Sequence, residues 1–507
     1  MRLRKLICVL VQLLLIAAVA QVALAQNGSL NGFDEYVNKA MKEWEVPGLA
    51  IAIIKNDQIV LAKGYGVRKI GDPAPVDERT LFAIGSSSKA FTAASLAMLV
   101  DEGKVKWDDP VTKYLPGFEM YDPYVTRELT VRDLLTHRSG LQRGDLLWYG
   151  TELDRAEILK RTRFLKPSWS LRSTFGYQNL MYLAAGELVA RVSGKSWDEF
   201  IRERFFGPLG MAASSTSINA LKTANNVASP HSKIEQKVIA IPWRNIDNIA
   251  PAGSINSNVA DMAHWVRLQL GQGTFQNQKL FSPAQAKEMH ASQTVIRFEP
   301  PYSMWYPEAH FLNYGLGWFL SDYRGRKVVD HGGAIDGMRA QVALMPEEKI
   351  GLVVLSNMGG SGLPTAMMYR IFDALLGAPP RDWSADLLKS FKTLEAAAQA
   401  AEKKQEAERV TGTNPSLALD KYAGTYRNDL YGDVKVTHDA GKLSIRYGPA
   451  FNGDLTHWHF DTFRARFVTS GESKVFVTFA LNAQGNLDTL TLGLPGMADY
   501  PFKRIEK

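Results

Sequence analysis

The sequence of 507 residues holds a single cysteine, Cys8. From residue 9 onward there is therefore no disulfide, no thiol nucleophile and no thiolate metal site. A chain of this size can rest on its core instead of covalent staples. Charge is also sparing: 22% of residues are charged and the formal net charge is +7. The excess is mild and scattered, which argues against nucleic acid as a partner. Long apolar runs are scarce as well. One stands out, Leu6 to Val22, interrupted only by Gln12 and Gln21. Arg2, Arg4 and Lys5 precede it and Ala23-Leu24-Ala25 follows, the pattern of a secretory signal peptide over residues 1–25, cut after Ala25. The rival reading is an uncleaved anchor, since the run is near the lower limit for a span. Ile7 is not the small residue a lipoprotein signal places before its cysteine. The expectation is export, to a periplasm or the exterior, with no membrane span after cleavage and a remaining charge of +4.

No internal repeat is present. From about 33 to 380 helical and strand patterns alternate. GLAIAIIKNDQIVLAKGYGV reads as a β-hairpin turning at Asn56-Asp57. SKAFTAASLAMLVDEGKV reads as a buried helix ended by Gly103. TVRDLLTHRSGL and NLMYLAAGELVARVSGKSWDEFIRERFF read as helical, with a glycine cap after His137-Arg138-Ser139. KVVDHGG, RAQVALMPEEKIGLVVLSN and TAMMYRIFDALLG read as a strand, two strands and a helix. Strand pairs at both ends with a helical middle predict an α+β domain over 26–380: an antiparallel sheet flanked by helices, with a helical subdomain. Residues 381–416 read as a largely helical linker whose Leu387, Phe391, Leu394 and Ala398 share one face. Residues 417–507 carry short, evenly spaced strands with turns at Asp439–Gly441 and Asn482–Asn486, which predicts a small all-β barrel or sandwich.

The chemistry-bearing stretch is LFAIGSSSKAFTAA, residues 81–94. Residues i and i+3 share a helix face, so a helix starting near Ser86 puts Ser86, not Ser87 or Ser88, against Lys89. Gly85 permits a tight entry. The backbone N–H of Ser86 joins the unpaired donors of the helix start, which can stabilise an oxyanion. Taken alone, Ser86 equally suits a helix cap. A serine nucleophile needs a base, and Lys89 serves only if burial and neighbouring groups depress its pKa. Tyr177-Gln178-Asn179 precedes a helix; Tyr177 offers a phenol for proton transfer and Asn179 an amide, although core packing and helix capping suit them too. His331-Gly332-Gly333 follows a strand, and its glycines admit a close backbone approach. His331 there is a candidate hydrogen-bond partner for the tyrosine or serine; taken alone, the stretch suits a turn.

In this order, S-x-x-K, Y-x-N and H-x-G resemble the penicillin-recognising serine enzymes. The closest likeness is to the group of class C β-lactamases, D-alanyl-D-alanine carboxypeptidases, D-aminopeptidases and related esterases. VPGLAIAII, LTVRDLLTHRSGL, APAGSINSNVADMAHW, YGLGWF and DHGGAIDG support the likeness over residues 33–380. The tail resembles a lipocalin-like domain appended to such hydrolases. The resemblance implies a β-lactamase/transpeptidase-like fold and an acyl-enzyme on Ser86, with Lys89 and Tyr177 moving the proton and Asn179 orienting Lys89 and the substrate. It implies an oxyanion site made by the N–H groups of Ser86 and Ala334, and no cofactor. His331 stands where β-lactamases usually carry lysine. A largely neutral imidazole favours an esterase, D-peptidase or amidase over a β-lactamase. Arg339 is a candidate carboxylate contact, with a surface salt bridge as the plain alternative. The expected partner is a small-molecule or peptide substrate. A true β-lactamase and a non-catalytic sensor of cell-wall peptides or β-lactams are the alternatives. Trp148 and Tyr149 suit either a substrate wall or packing. His457-Trp458-His459 spaces two imidazoles on one strand face, but no third ligand accompanies them and no metal is expected.

Overall fold

A computed structural model describes residues 30–468, 472–494 and 500–505; the signal peptide expected over 1–25 lies outside them. Among the described residues no helix is long and apolar enough to cross a membrane.

Helix α1 (Phe33–Glu43) leads into β1 (Gly48–Lys55) and β2 (Gln58–Lys69). Both turn residues between these strands, Asn56 and Asp57, have positive φ. That is the conformation of the tight hairpin turn whose twist matches its strands, and Asn and Asp tolerate it. The edge strand β3 (Asp72–Pro75) follows. The other strands of the sheet come from the far end of the domain: β4 (Thr294–Val295), β5 (Leu312–Tyr314), β6 (Phe319–Tyr323), β7 (Arg326–Ile335), β8 (Met338–Met345) and β9 (Ile350–Ser356). The order is β4-β5-β6-β7-β8-β9-β1-β2-β3, and every neighbouring pair is antiparallel. The β1/β9 register, Ile51 opposite Val354, joins the two ends of the domain.

The central strands are apolar at nearly every position because both faces are covered. Along β1, Ala50, Ala52 and Ile54 enter the larger core, while Leu49, Ile51 and Ile53 enter the second core on the opposite face. This is the two-residue period of a pleated strand. The second core is closed by α1, α5 (Leu363–Leu376) and the start of α6 (Trp383–Ala407). The larger core holds α2 (Lys89–Asp101), α3 (Asn179–Ser193) and α4 (Val259–Leu270). Helix α2 is apolar or small on all sides, as a helix without a solvent face must be.

Helix α6 leaves the sheet layer with Trp383 and Leu387 buried and Phe391 edge-on to Trp44 and Trp305, 5.1 Å from each. Its far end pairs Glu402 and Glu406 with Arg464, and Glu402 with Lys474. Those cations belong to a closed barrel of eight strands in sequential order: β10 (Gly424–Asn428), β11 (Gly432–Asp439), β12 (Lys442–Tyr447), β13 (Phe451–His459), β14 (Thr462–Val468), β15 (Glu472–Leu481), β16 (Leu487–Leu492) and β17 (Phe502–Ile505). Aromatic side chains including Tyr426, Tyr447, Phe463, Phe467, Phe479 and Phe502 fill its interior. A barrel of this strand number is just wide enough to be packed solid.

Two local expectations are corrected. The segment TVRDLLTHRSGL forms only one short helix, Val131–Leu135, and His137 itself takes the left-handed conformation, so Gly140 is not the cap. His331-Gly332-Gly333 lies inside β7 and not after a strand, because β8 continues to pair with it as far as Ile335 opposite Met338.

Candidate active site

Strand Phe82–Ala83 turns at Gly85 into a single 3₁₀ turn, Gly85–Ser88, that feeds α2. Gly85 has φ +53°, and a Cβ there would lie 2.6 Å from the backbone nitrogen of Ala334. At Gly333 the approach is closer still: a Cβ would lie 1.8 Å from the Ile84 carbonyl oxygen. The bare backbone of β7 thus touches the serine turn, and Gly333 serves this internal contact where the sequence suggested room for substrate.

The turn sorts the three serines. Ser87 donates its hydroxyl to the His331 carbonyl (2.9 Å), and the Ser88 hydroxyl accepts from the N–H of Ile255 (3.2 Å); both are buried. Ser86 alone of the three lines a cleft of about 940 Å³. No side chain caps α2, so Ser86 is not spent as a helix cap.

Lys89 is fully buried, and its Nζ lies 3.1 Å from Ser86 Oγ, 2.7 Å from Asn179 Oδ1 and 2.7 Å from the carbonyl of Ala252. The amide and carbonyl oxygens can only accept. In its neutral form the amine would spend its two N–H bonds on them and turn its lone pair to the Ser86 hydroxyl. Burial holds the Lys89 pKa well below the usual lysine range; the charge of Arg143 pushes the same way and Asp145 opposes it. Desolvation is thus the main cause that moves Lys89 toward the neutral form a serine base needs.

Asn179 is the first residue of α3; Gln178 caps the helix by accepting from the N–H of Leu180, which leaves the Asn179 amide free. Its Nδ2 donates to Asp145 Oδ1 at 2.8 Å. Asp145 also accepts from Trp148 Nε1 (3.0 Å) and Arg143 Nε (2.6 Å). Asp145 and Arg143 were absent from the sequence reading. Neither sits in a motif, and Asp145 meets Asn179 across 34 residues of chain.

Tyr177 packs its ring against His137, with centroids 4.2 Å apart. Lys89 Nζ and the Arg143 guanidinium lie 4.9 and 5.1 Å from the Tyr177 ring centre. Burial raises the phenol above its usual pKa, while the neighbouring Ser86 hydroxyl and the charge of Arg143 pull it partly back. His137 Nδ1 accepts from the N–H of Gln178 (3.0 Å), which fixes this ring as a platform beneath Tyr177.

Two further residues depart from expectation. His331 bonds neither Tyr177 nor Ser86. Its Nδ1–H donates to the Gly332 carbonyl (2.7 Å) and its Nε2 accepts from Tyr314 (2.9 Å). Buried beside Lys89, it is pushed down to about 3 and is neutral at physiological pH. Arg339 forms neither a surface salt bridge nor part of the cleft lining. Its guanidinium lies 5.2 Å from the centre of the Trp305 ring, and its Nε is buried without a partner. It pairs with Ala334 across the sheet, but its side chain enters the layer of Trp305. Trp148 and Tyr149 both pack and line the cleft, and Tyr149 donates to Asp336 (2.7 Å). Among the described residues no group of three His, Cys, Asp or Glu side chains is placed to hold a metal ion. His457 Nε2 instead meets the Phe460 carbonyl at 2.9 Å.

Residues 33–376 match the family described as Beta-lactamase; the chain belongs to that family and is a hydrolase of it. Residues 408–504 match a domain of unknown function, DUF3471, which here forms the barrel. The chain is 30% identical to "Unguisins hydrolase ungD" of Aspergillus violaceofuscus, covering 89% of this chain and 86% of that protein. It is 25% identical to "Protein flp" of Staphylococcus aureus, over 67% of this chain and 65% of that protein. A solved structure, the octameric penicillin-binding protein homologue from Pyrococcus abyssi, shares the fold with a TM-score of 0.63 at 23% identity, covering 94% of this chain and all of that one.

Proposed function

We propose that the protein is an exported serine hydrolase that cleaves an ester or amide through an acyl-enzyme on Ser86. One observation carries this: the buried Lys89 Nζ lies within hydrogen-bond distance of Ser86 Oγ, with the Asn179 amide oxygen and the Ala252 carbonyl as its other two partners. Ser86 Oγ attacks the carbonyl carbon as its proton passes to Lys89 Nζ. The oxygen of the tetrahedral intermediate sits against the N–H groups of Ser86 and Ala334. The C–O or C–N bond then breaks, and the leaving group takes a proton from the Tyr177 hydroxyl, which Lys89 replenishes. Water attacks the ester in the reverse sequence and frees Ser86. The opposite pKa shifts support this division: the amine is the acceptor and the phenol the donor.

The lining of the cleft supports a substrate class. Five acidic residues face three basic ones, and Arg143 and Lys233 are already paired with Asp145 and Glu45. His331 is neutral as well, so among the described residues Lys392 is the one basic residue of the lining with no ion pair. A neutral ester or a peptide bond without an adjacent carboxylate fits better than a β-lactam.

Parallel labelling with a fluorophosphonate and a penicillin, read by mass spectrometry, tests the nucleophile. A fluorophosphonate adduct on Ser86, absent in Ser86→Ala, is expected; folded protein that takes up neither probe refutes the mechanism. The substrate class is tested with N-acetyl-D-Ala-D-Ala and its C-terminal amide. The amide should have the higher kcat/KM by about tenfold, equivalent to about 1.4 kcal/mol. Equal or reversed values would remove the carboxylate argument.

A further inference from the structure

The reaction as described uses no residue of the barrel, yet the barrel is docked on the segment that carries Asp145. Residues 143–150 form a strip with two sides. On the inner side Asp145 holds Asn179, which in turn accepts from Lys89. On the outer side the buried Tyr447, at the end of β12, donates its hydroxyl to the carbonyl of Leu146 at 2.8 Å. Leu146 is the next residue after Asp145. Phe451, at the start of β13, sits 6.0 Å from Tyr149 ring to ring, and Ala450 packs against Gly150. Further along, Tyr500 accepts from the N–H of Lys166 at 2.9 Å. From the hydrolase side, Asn248 donates to the carbonyls of Trp148 and Leu153. The strip is thus gripped between the two domains, with the barrel holding the residue beside Asp145.

We propose that the C-terminal barrel is a positioning element for the reaction on Ser86: Tyr447, through the Leu146 carbonyl, sets the place from which Asp145 orients Asn179 and Lys89. This gives the domain of unknown function a role in the hydrolase site, and it rests on the reading of Ser86 as nucleophile. The line of contacts is continuous and polar, from Tyr447 hydroxyl to Leu146 carbonyl, along one peptide to Asp145, then to Asn179, Lys89 and Ser86. Loosening the strip lets the Asn179 amide drift, and with it the amine that must meet the Ser86 hydroxyl. Water entering beside the amine favours its protonated form, so more of the enzyme is inactive at a given acidic pH.

The test uses the full chain and p-nitrophenyl butyrate. Tyr447→Phe keeps the ring and removes the hydroxyl. It is expected to lower kcat by about tenfold, with KM within about twofold, as sub-ångström misplacement of a reacting group does. The acid limb of its kcat profile should move to higher pH. Tyr426→Phe is the control: it removes an equally buried bond, Tyr426 hydroxyl to Tyr422 carbonyl at 2.8 Å, inside the barrel. It should lower Tm while leaving kcat and the acid limb in place. If Tyr447→Phe keeps wild-type kcat and pH profile, or if Tyr426→Phe reproduces its kinetic effect, the proposal falls. Fluorophosphonate labelling of the wild type separates the two failures. Labelled Ser86 with unaltered Tyr447→Phe kinetics refutes the positioning role alone, whereas unlabelled Ser86 refutes the nucleophile and this role with it.

Discussion

Lys89→Ala is expected to lower kcat/KM for p-nitrophenyl butyrate by about 10²- to 10⁴-fold, the range for loss of a positioned general base. The loss should fall on kcat, because Lys89 is buried behind Ser86 and is not among the residues that line the cleft. Lys89→Arg should fare no better, since a guanidinium cannot give up its proton. The pH dependence follows in sign. Acylation needs the unprotonated amine, and burial has lowered its pKa. Activity therefore rises with pH through the Lys89 pKa, and the acid limb of kcat/KM belongs to this residue. In Lys89→Ala the residual activity should lose that limb. Profiles of wild type and variant measured between pH 4 and 10 decide it; a variant within tenfold of wild type, or one with an unaltered acid limb, assigns the base elsewhere.

Gly333→Ala is expected to disable the enzyme without removing any group that reacts. The new Cβ would lie 1.8 Å from the Ile84 carbonyl oxygen and 3.2 Å from the Ser86 nitrogen. Both are backbone atoms, so no rotamer change relieves the clash. Either β7 or the serine turn must shift, at a cost of about 1–3 kcal/mol for overpacking. A shift of about 1 Å at the nucleophile costs roughly 10²-fold in rate. Gly332→Ala is the contrast: its Cβ would meet the Gln341 side-chain oxygen at 3.1 Å, the end of a flexible chain. Its loss of activity and of Tm should be much smaller. Thermal melts and Ser86 labelling rates of the two variants check this, and equal effects would mean that the close approach to Ile84 is not what matters.

Much of the fold was legible because its signals are local. Alternation along GLAIAIIKNDQIVLAKGYGV, with Asn-Asp at its turn, yields the β1/β2 hairpin. The small and apolar residues after Lys89 yield a helix with no exposed face. The pairing of Ser86 with Lys89 is local too, since three residues of helical rise bring the two side chains together. Where local signals misled, the cause was tertiary. HGG looks like a turn, but β8 pairs through it and the serine turn fills the space its glycines leave. Arg339 looks like a cation available to substrate, but the pleat sends its side chain to the Trp305 layer.

Taken by itself, the sequence determined the nucleophile candidate, the period of most elements and the short strands of the tail, because each depends on residues a few positions apart; closure of those strands into a barrel was left to the tertiary structure. Tertiary structure decided which groups surround Ser86. Asp145 reaches Asn179 across 34 residues and Tyr447 reaches Leu146 across 301. No spacing rule encodes such meetings, because they follow from how whole layers pack. The depressed pKa of Lys89 is of the same kind: a lysine in a sequence is basic, and only burial among α2, α3 and the Ala252 carbonyl moves it toward the neutral form that the proposed role requires.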